Sequence, residues 1–189
     1  MEDFLTETER VLLLKIAREA IESVVRGQQP PVLDKSKLSP KLSEPGVTFI
    51  TLTRKGELRG CIGALEPYQP LVEDVREHAI AAALNDFRFP PVSPGELNDI
   101  KIEISRLTLP EELHYQTPQE LLERLRPGID GVILREGIHR ATFLPQVWEK
   151  IPDKATFLSH LCMKMGAPPD IWLKNMLSVQ TYQVEEFHE

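Results

Sequence analysis

The run Leu58-Arg59-Gly60-Cys61-Ile62-Gly63 sets a cysteine between two glycines, two positions after an arginine. Glycine inside a strand gives up packing and backbone entropy. It marks a bulge or a place where another backbone or a ligand comes close. Residues two apart on a strand share a face, which puts Arg59 beside Cys61. A guanidinium there favours the thiolate over the thiol, and the thiolate is the nucleophilic, redox-active form. The motif offers Cys61 as nucleophile or redox thiol in a cleft bordered by Arg59, Gly60 and Gly63. A small, packed Cys61 beneath a surface arginine is the plainer reading of the same residues.

A nucleophilic cysteine needs a base within hydrogen-bond reach. His78 is the nearest histidine downstream, yet its neighbours Val75, Ala79 and Ala82 equally describe a helix-packing histidine. Glu103 stands on a strand opposite Ile102 and Ile104, as an acid–base carboxylate or as part of a solvated face. Arg88, in Asp86-Phe87-Arg88-Phe89-Pro90-Pro91, can present a planar fork to a carboxylate or phosphate, or brace its own loop through Asp86. Arg59, Arg88, Gly60 and Gly63 are thus the expected ligand-binding set, suited to a small anionic ligand. The five histidines form no HExxH, and His160 and Cys162 point apart on a helix, so no metal site is expected. No GxGxxG or GxxxxGK[ST] run occurs, and no cofactor is called for.

These residues must be held by a small set of elements. Thr6-Glu7-Thr8-Glu9 is a capping box opening a helix that runs to about Val25, with Gly27 as its stop. Residues 27–46 form a proline-rich excursion that wraps the surface or borders a cleft. Val47–Thr53 and Glu57–Leu65 make a hairpin around Lys55-Gly56, and Pro70 starts a helix with Leu71, Val72, Val75, Ala79, Ala82 and Ala83 inward. A strand follows at Ile100–Leu107, then a short helix at Pro118–Leu125 capped by Thr117. A second hairpin, Gly131–Arg135 with Ile138–Phe143, turns at Glu136-Gly137. A helix spans Asp153–Met165, and Leu177–Phe187 closes the chain as one strand. The two hairpins share the pattern Arg, any residue, Gly, two residues, Arg, then a small residue. Shared turn chemistry and duplication of a hairpin-plus-helix unit both account for it. Helices and hairpins mix without regular strand–helix alternation. The fold class is α+β, a mainly antiparallel sheet with helices packed on it, as one domain over 1–189 or two intimate subdomains.

The chain resembles the AMME chromosomal region candidate-protein domain family, whose prokaryotic members are called AmmeMemoRadiSam system protein A. Leu58-Arg59-Gly60-Cys61-Ile62-Gly63 is the hallmark. The likeness continues through Asp86–Pro91, Glu103-Ile104-Ser105, Gly131-Val132, Thr142–Glu149 and Phe157–Lys164, in the family's order over nearly the whole chain. The resemblance implies association with a Memo-like protein and a radical S-adenosylmethionine enzyme, and it implies no settled activity.

Composition narrows the classes further. Apolar residues make up 41% and charged residues 27%, as in ordinary globular proteins. A net charge of −7 argues against nucleic-acid binding, which needs a basic surface. The acidic start, Met1 to Phe4, lacks a signal-peptide pattern, and no apolar run is long enough to span a bilayer. Two cysteines 101 positions apart fit a reducing compartment, so a cytoplasmic protein is expected. Two functions remain in view. One is a small-ligand-binding or catalytic cleft centred on Cys61, working with the Memo-like and radical-SAM partners. The alternative is a non-catalytic adaptor in which the same motif is a docking or packing element.

Overall fold

The computed structural model describes residues 4–189; the acidic start at Met1–Asp3 lies outside them. The helices are α1 (Glu7–Val25), α2 (Pro40–Ser43), α3 (Leu71–Leu84), α4 (Pro118–Arg124), α5 (Val147–Lys150), α6 (Lys154–Lys164) and α7 (Ile171–Lys174). The strands are β1 (Val47–Arg54), β2 (Glu57–Gly63), β3 (Ile100–Leu107), β4 (Glu111–Glu112), β5 (Gly131–Glu136), β6 (His139–Phe143), β7 (Ser178–Tyr182) and β8 (Val184–His188). The protein is α+β. Its chain divides into two compact units, residues 1–108 with 185–189, and residues 109–184.

In the first unit, Thr6 opens α1 as the capping box requires. Its hydroxyl oxygen accepts the Glu9 N–H at 3.3 Å, and Glu9 Oε2 accepts the Thr6 N–H at 2.7 Å. Lys55 and Gly56, at φ 54° and 83°, form the two-residue turn between β1 and β2, the conformation for which Gly is favoured. β3 pairs antiparallel with the other side of β1, and β8 lies beyond it, giving the order β2-β1-β3-β8. α1 and α3 pack together, and α3 lies across β1 and β2. Ile50, Leu52, Ile102 and Ile104 point under these helices and meet Leu13, Ile21, Val75 and Ala79 in one core. Side chains alternate along a strand, so Phe49, Thr51, Thr53, Lys101 and Glu103 take the opposite, more polar face. Within the 27–46 excursion are a single 3-10 turn and α2, and the excursion borders a groove of about 140 Å³ against α1.

The second unit repeats the arrangement. A hairpin, β5–β6, is followed by helices, and then β7 pairs antiparallel with the hairpin's first strand, giving β4-β7-β5-β6. The hairpin turns at Gly137-Ile138, because Glu136 pairs with His139; this is one residue later than the turn chemistry suggested. Trp148 stacks on Phe157 at 3.6 Å between ring centres, and its indole N–H donates to the Asp130 carbonyl at 2.7 Å. Cys162 is fully buried in this core, and burial pushes its thiol up.

The expected last strand is two strands. β7 belongs to the second unit's sheet and β8 to the first unit's, with Gln183 between them. The burial rhythm shifts at this point. Val179 is buried but Thr181 is not, while Tyr182, Glu185 and Phe187 are.

Candidate functional site

Cys61 sits on β2, the outermost strand of its sheet, with its neighbours Gly60 and Ile62 paired to Leu52 and Ile50. Leu52 and Thr53 of β1 face Gly60 and Leu58, so Arg59 is the extra residue of a β-bulge. A bulge breaks the simple two-residue alternation and re-aims the side chain at that position. Arg59 accordingly reaches groups in the segment after α3. Its Nε and Nη2 donate to the Glu96 carboxylate at 2.8 and 3.2 Å, and Nη1 donates to the Pro90 carbonyl at 2.9 Å. These bonds hold the Glu96 carboxyl down to about 2, from an ordinary 4.5.

The two glycines are filled by the protein itself. A Cβ on Gly60 would lie 2.2 Å from the Ala82 carbonyl oxygen of α3, and one on Gly63 would lie 2.4 Å from the Phe49 ring. Gly60 lets the end of α3 lie directly on the strand, and Phe49 covers the bare backbone of Gly63.

The outer edge of β2 is closed at Cys61 by the loop after α3. Asp86, 4% exposed, accepts the Cys61 N–H at 2.8 Å on Oδ2. The same carboxylate accepts the Arg88 backbone N–H at 3.1 Å, its Nε–H at 2.9 Å and its Nη2–H at 2.6 Å. Arg88 Nη2 also donates to the Cys61 carbonyl at 3.3 Å. One carboxylate and one guanidinium thus meet both polar groups that a neighbouring strand would have met. The Arg88 guanidinium is the main reason the Asp86 carboxyl lies far below the carboxylate range, and Asp86 in turn raises Arg88. Phe89 lies under both arginines, 5.5 Å from Arg88 and 6.0 Å from Arg59.

Register then sets what surrounds the thiol. Cys61 pairs with Thr51, and Thr51 pairs with Glu103, so the three lie in one row across β2, β1 and β3. All three are half-buried, and Thr51 Oγ1 donates to Cys61 Sγ at 3.4 Å. Gly60 faces α3, so Cys61, the next residue, faces the other side of the sheet. His78 belongs to α3. Its Nδ1 lies 3.1 Å from Asp74 Oδ2, which also accepts the N–H and hydroxyl of Thr48 at 2.8 and 2.7 Å. Asp74 Oδ1 is buried with no hydrogen-bond partner among the described residues. The structure brings Cys61 and Glu103 onto one face and puts His78 on the other.

Sequence reasoning named Asp86 as a brace for Arg88 but did not give it the Cys61 N–H, and it did not single out Thr51, Asp74 or Glu96. For Asp86 a signal existed: an Asp two residues before an Arg is a ready Asx turn. Thr51 and Glu96 meet Cys61 and Arg59 only through strand register and loop closure, which no local pattern displays. Among the described residues, no group of three or more His, Cys, Asp or Glu side chains is placed to hold a metal ion. No helix among them is long and apolar enough to cross a membrane.

The geometry defines a protein class: an α+β chain of two hairpin-plus-helix units, with a clamped cysteine on the edge strand of the first. The AMMECR1 family profile matches residues 14–187, and the chain belongs to that family. A protein of Methanothermobacter thermautotrophicus is 43% identical over 190 residues, covering 98% of this chain and 96% of its own. Protein MK0488 of Methanopyrus kandleri is 39% identical over 193 residues, covering 100% and 92%. The crystal structure of uncharacterized protein PH0010 from Pyrococcus horikoshii matches with a TM-score of 0.74 at 35% identity, over 98% of this chain and 93% of that one.

Proposed function

We propose that the first unit presents Cys61 as a reactive thiol, nucleophile or redox centre, in a small-ligand cleft on the polar face of its sheet. One observation carries the reading: the Cys61 backbone is fixed on its outer side by Asp86 and Arg88, while Thr51 Oγ1 donates to its sulfur. A side chain held by its supports at a half-exposed position is what a preorganised nucleophile needs. Family membership supports a role beside Memo-like and radical-SAM partners, which would supply or consume the ligand.

The adaptor reading has its own support. The Gly60 and Gly63 positions are occupied by Ala82 and Phe49, and Arg59 is bound to Glu96. The motif residues then serve to hold the chain together, and the polar sheet face is the surface offered to a partner.

Alkylation of the folded protein separates the two. Cys162 is fully buried and serves as the internal reference. The thiol reading expects rapid, stoichiometric labelling at Cys61 with Cys162 untouched. Labelling of Cys61 as slow as that of Cys162 overturns it. A complex with a Memo-like partner that survives Cys61→Ala then favours the adaptor.

A further inference from the structure

We infer that the groove between α1 and the 27–46 excursion takes a small apolar monocarboxylic acid. Its body is one ring or one short branched chain, and its carboxylate sits between Lys15 and Lys37. The groove lies on the helix side of the first unit, whereas Cys61 faces the other side of the sheet, so the inference is independent of the thiol reading.

The floor follows from the helix repeat. Leu12, Ile16 and Ala20 stand four residues apart on α1 and form one stripe. Leu33 and Leu38 of the excursion line the same groove and pack against the first unit's core. The space these apolar groups border is about 140 Å³. A cavity of about 150 Å³ lined by Leu and Ile holds one benzene ring, which sets the size of the apolar body. Pro30 and Pro31 also line the groove, and their fixed φ keeps that wall in place without a ligand's help.

Charge at the rim chooses the head group. Three cations line the groove, Lys15 of α1, Lys37 of the 3-10 turn and Arg76 of α3, against two anions, Glu19 and Asp34. On a chain of net charge −7 this is a locally positive border. Arg76 is held by Glu73 at 2.6 Å and keeps its place. The lysines are looser. Lys15 approaches Glu19 only to 3.8 Å. Lys37 meets Asp34 at 3.1 Å, but Asp34 also accepts the Ser36 N–H at 3.2 Å and the Ser36 hydroxyl at 2.6 Å. Asp34 therefore stays satisfied when Lys37 turns toward a ligand. Exposed ion pairs hold little free energy, so exchanging them for a carboxylate anchored by its own apolar body costs little. An ammonium head group would meet the same lysines as like charges.

The test uses the whole chain, isotope-labelled for two-dimensional NMR, and three probes that share one ring: phenylacetate, phenylacetamide and benzylamine. The readout is the amide chemical-shift titration. Phenylacetate is expected to move Leu12, Lys15, Ile16, Leu33 and Leu38 together, with a Kd on the order of 1 mM for so small a ligand. Phenylacetamide binds at the same residues about fivefold more weakly at low salt, and benzylamine more weakly still. The surface double variant Lys15→Gln, Lys37→Gln brings acid and amide to within about twofold of each other, with the amide's own Kd and the remaining spectrum unchanged. No saturable shift at these residues up to about 20 mM phenylacetate overturns the inference. So does equal binding of acid and amide, or a preference that the double variant keeps. Groove shifts that follow protein concentration without any probe assign the groove to a second copy of the chain. Tighter binding of N-acetyl-Glu-Phe-Glu-amide than of phenylacetate assigns it to an acidic protein segment, and either result overturns the small-acid reading. Alkylation of Cys61 is read separately, so failure of one reading leaves the other standing.

Discussion

Replacing Gly60 by alanine adds one methyl group at the point where α3 meets β2. That Cβ would stand 2.2 Å from the Ala82 carbonyl oxygen and 3.2 Å from its carbon. An ordinary contact needs roughly 1 Å more, so the end of the helix has to lift from the strand as a unit. A flexible side chain could swing aside, but a helix carbonyl cannot. Overpacking of this kind costs about 1–3 kcal/mol where side chains give way, and we place Gly60→Ala at the upper end, about 3 kcal/mol. With a urea slope of about 2 kcal/mol per molar for a unit of this size, the midpoint falls by about 1.5 M. Both tryptophans, Trp148 and Trp172, lie in the second unit, so their fluorescence reports that unit, while far-ultraviolet circular dichroism reports both. The dichroism midpoint should fall by the stated amount. A midpoint shift under about 0.3 M, near 0.6 kcal/mol, would show that α3 does not bear on Gly60 and would refute the packing argument. The result also governs how partner experiments are read: loss of a complex on bulky replacement of Gly60 reports damage to the fold before it reports docking.

In the second unit, Gly131→Ala would set a Cβ 2.3 Å from the Tyr182 ring, whose hydroxyl meets Thr142 Oγ1 at 3.0 Å and donates to the Phe143 carbonyl at 3.2 Å. A loss of about 1–3 kcal/mol is expected, seen this time in tryptophan fluorescence; an unchanged fluorescence midpoint counts against it. Asp86→Ala strips the Cys61 N–H of a charged acceptor, for a loss of about 2 kcal/mol, and opens the edge of β2. Concentration-dependent self-association on size-exclusion chromatography is the expected sign, and a variant that stays as stable and as dispersed as wild type sinks the clamp. Glu96 sits at about 2 when folded, below its ordinary 4.5. Its stabilising effect is therefore complete above about pH 4.5 and is lost as the pH falls toward 2. Glu96→Gln should flatten the pH dependence of the urea midpoint across that window, and an identical profile would mean that the Arg59 pair contributes nothing.

Much of this architecture is legible from local rules, and the exceptions share a cause. The Thr6–Glu9 capping box, the Lys55-Gly56 turn and the inward face of α3 depend on residues within a turn or two of each other, and each stands where its pattern puts it. The bulge at Arg59 does not announce itself. It follows from fitting Gly60 against Ala82 while keeping β1 in register, a constraint set by a helix over 20 residues away. The same holds for the site. The thiol, its strand, the strand face that carries Glu103 and the brace between Arg88 and Asp86 could be read directly. That Arg59 serves Glu96 and that the sheet separates His78 from Cys61 depend on how loops close and which strand lies outermost. The polar face of the sheet was visible as alternation, whereas the row joining Cys61, Thr51 and Glu103 required the pairing.

The strand switch at Gln183 has a consequence for the order in which the molecule is made. Residues 109–184 are continuous, so the second unit has all its parts as soon as Val184 leaves the ribosome. The first unit is interrupted: β1, β2 and β3 emerge before the second unit, but β8 is synthesised after it. Until then β3 has an uncovered side, and the start of α1 lacks Glu185, whose carboxylate accepts the Leu5 N–H at 3.0 Å and pairs with Arg10 at 2.7 Å. The start of α1 thus waits for a strand made after the whole second unit. An arrested nascent chain that stops short of Glu185 carries a finished second unit and an unsealed first one, and protease sensitivity confined to residues 4–108 is its signature.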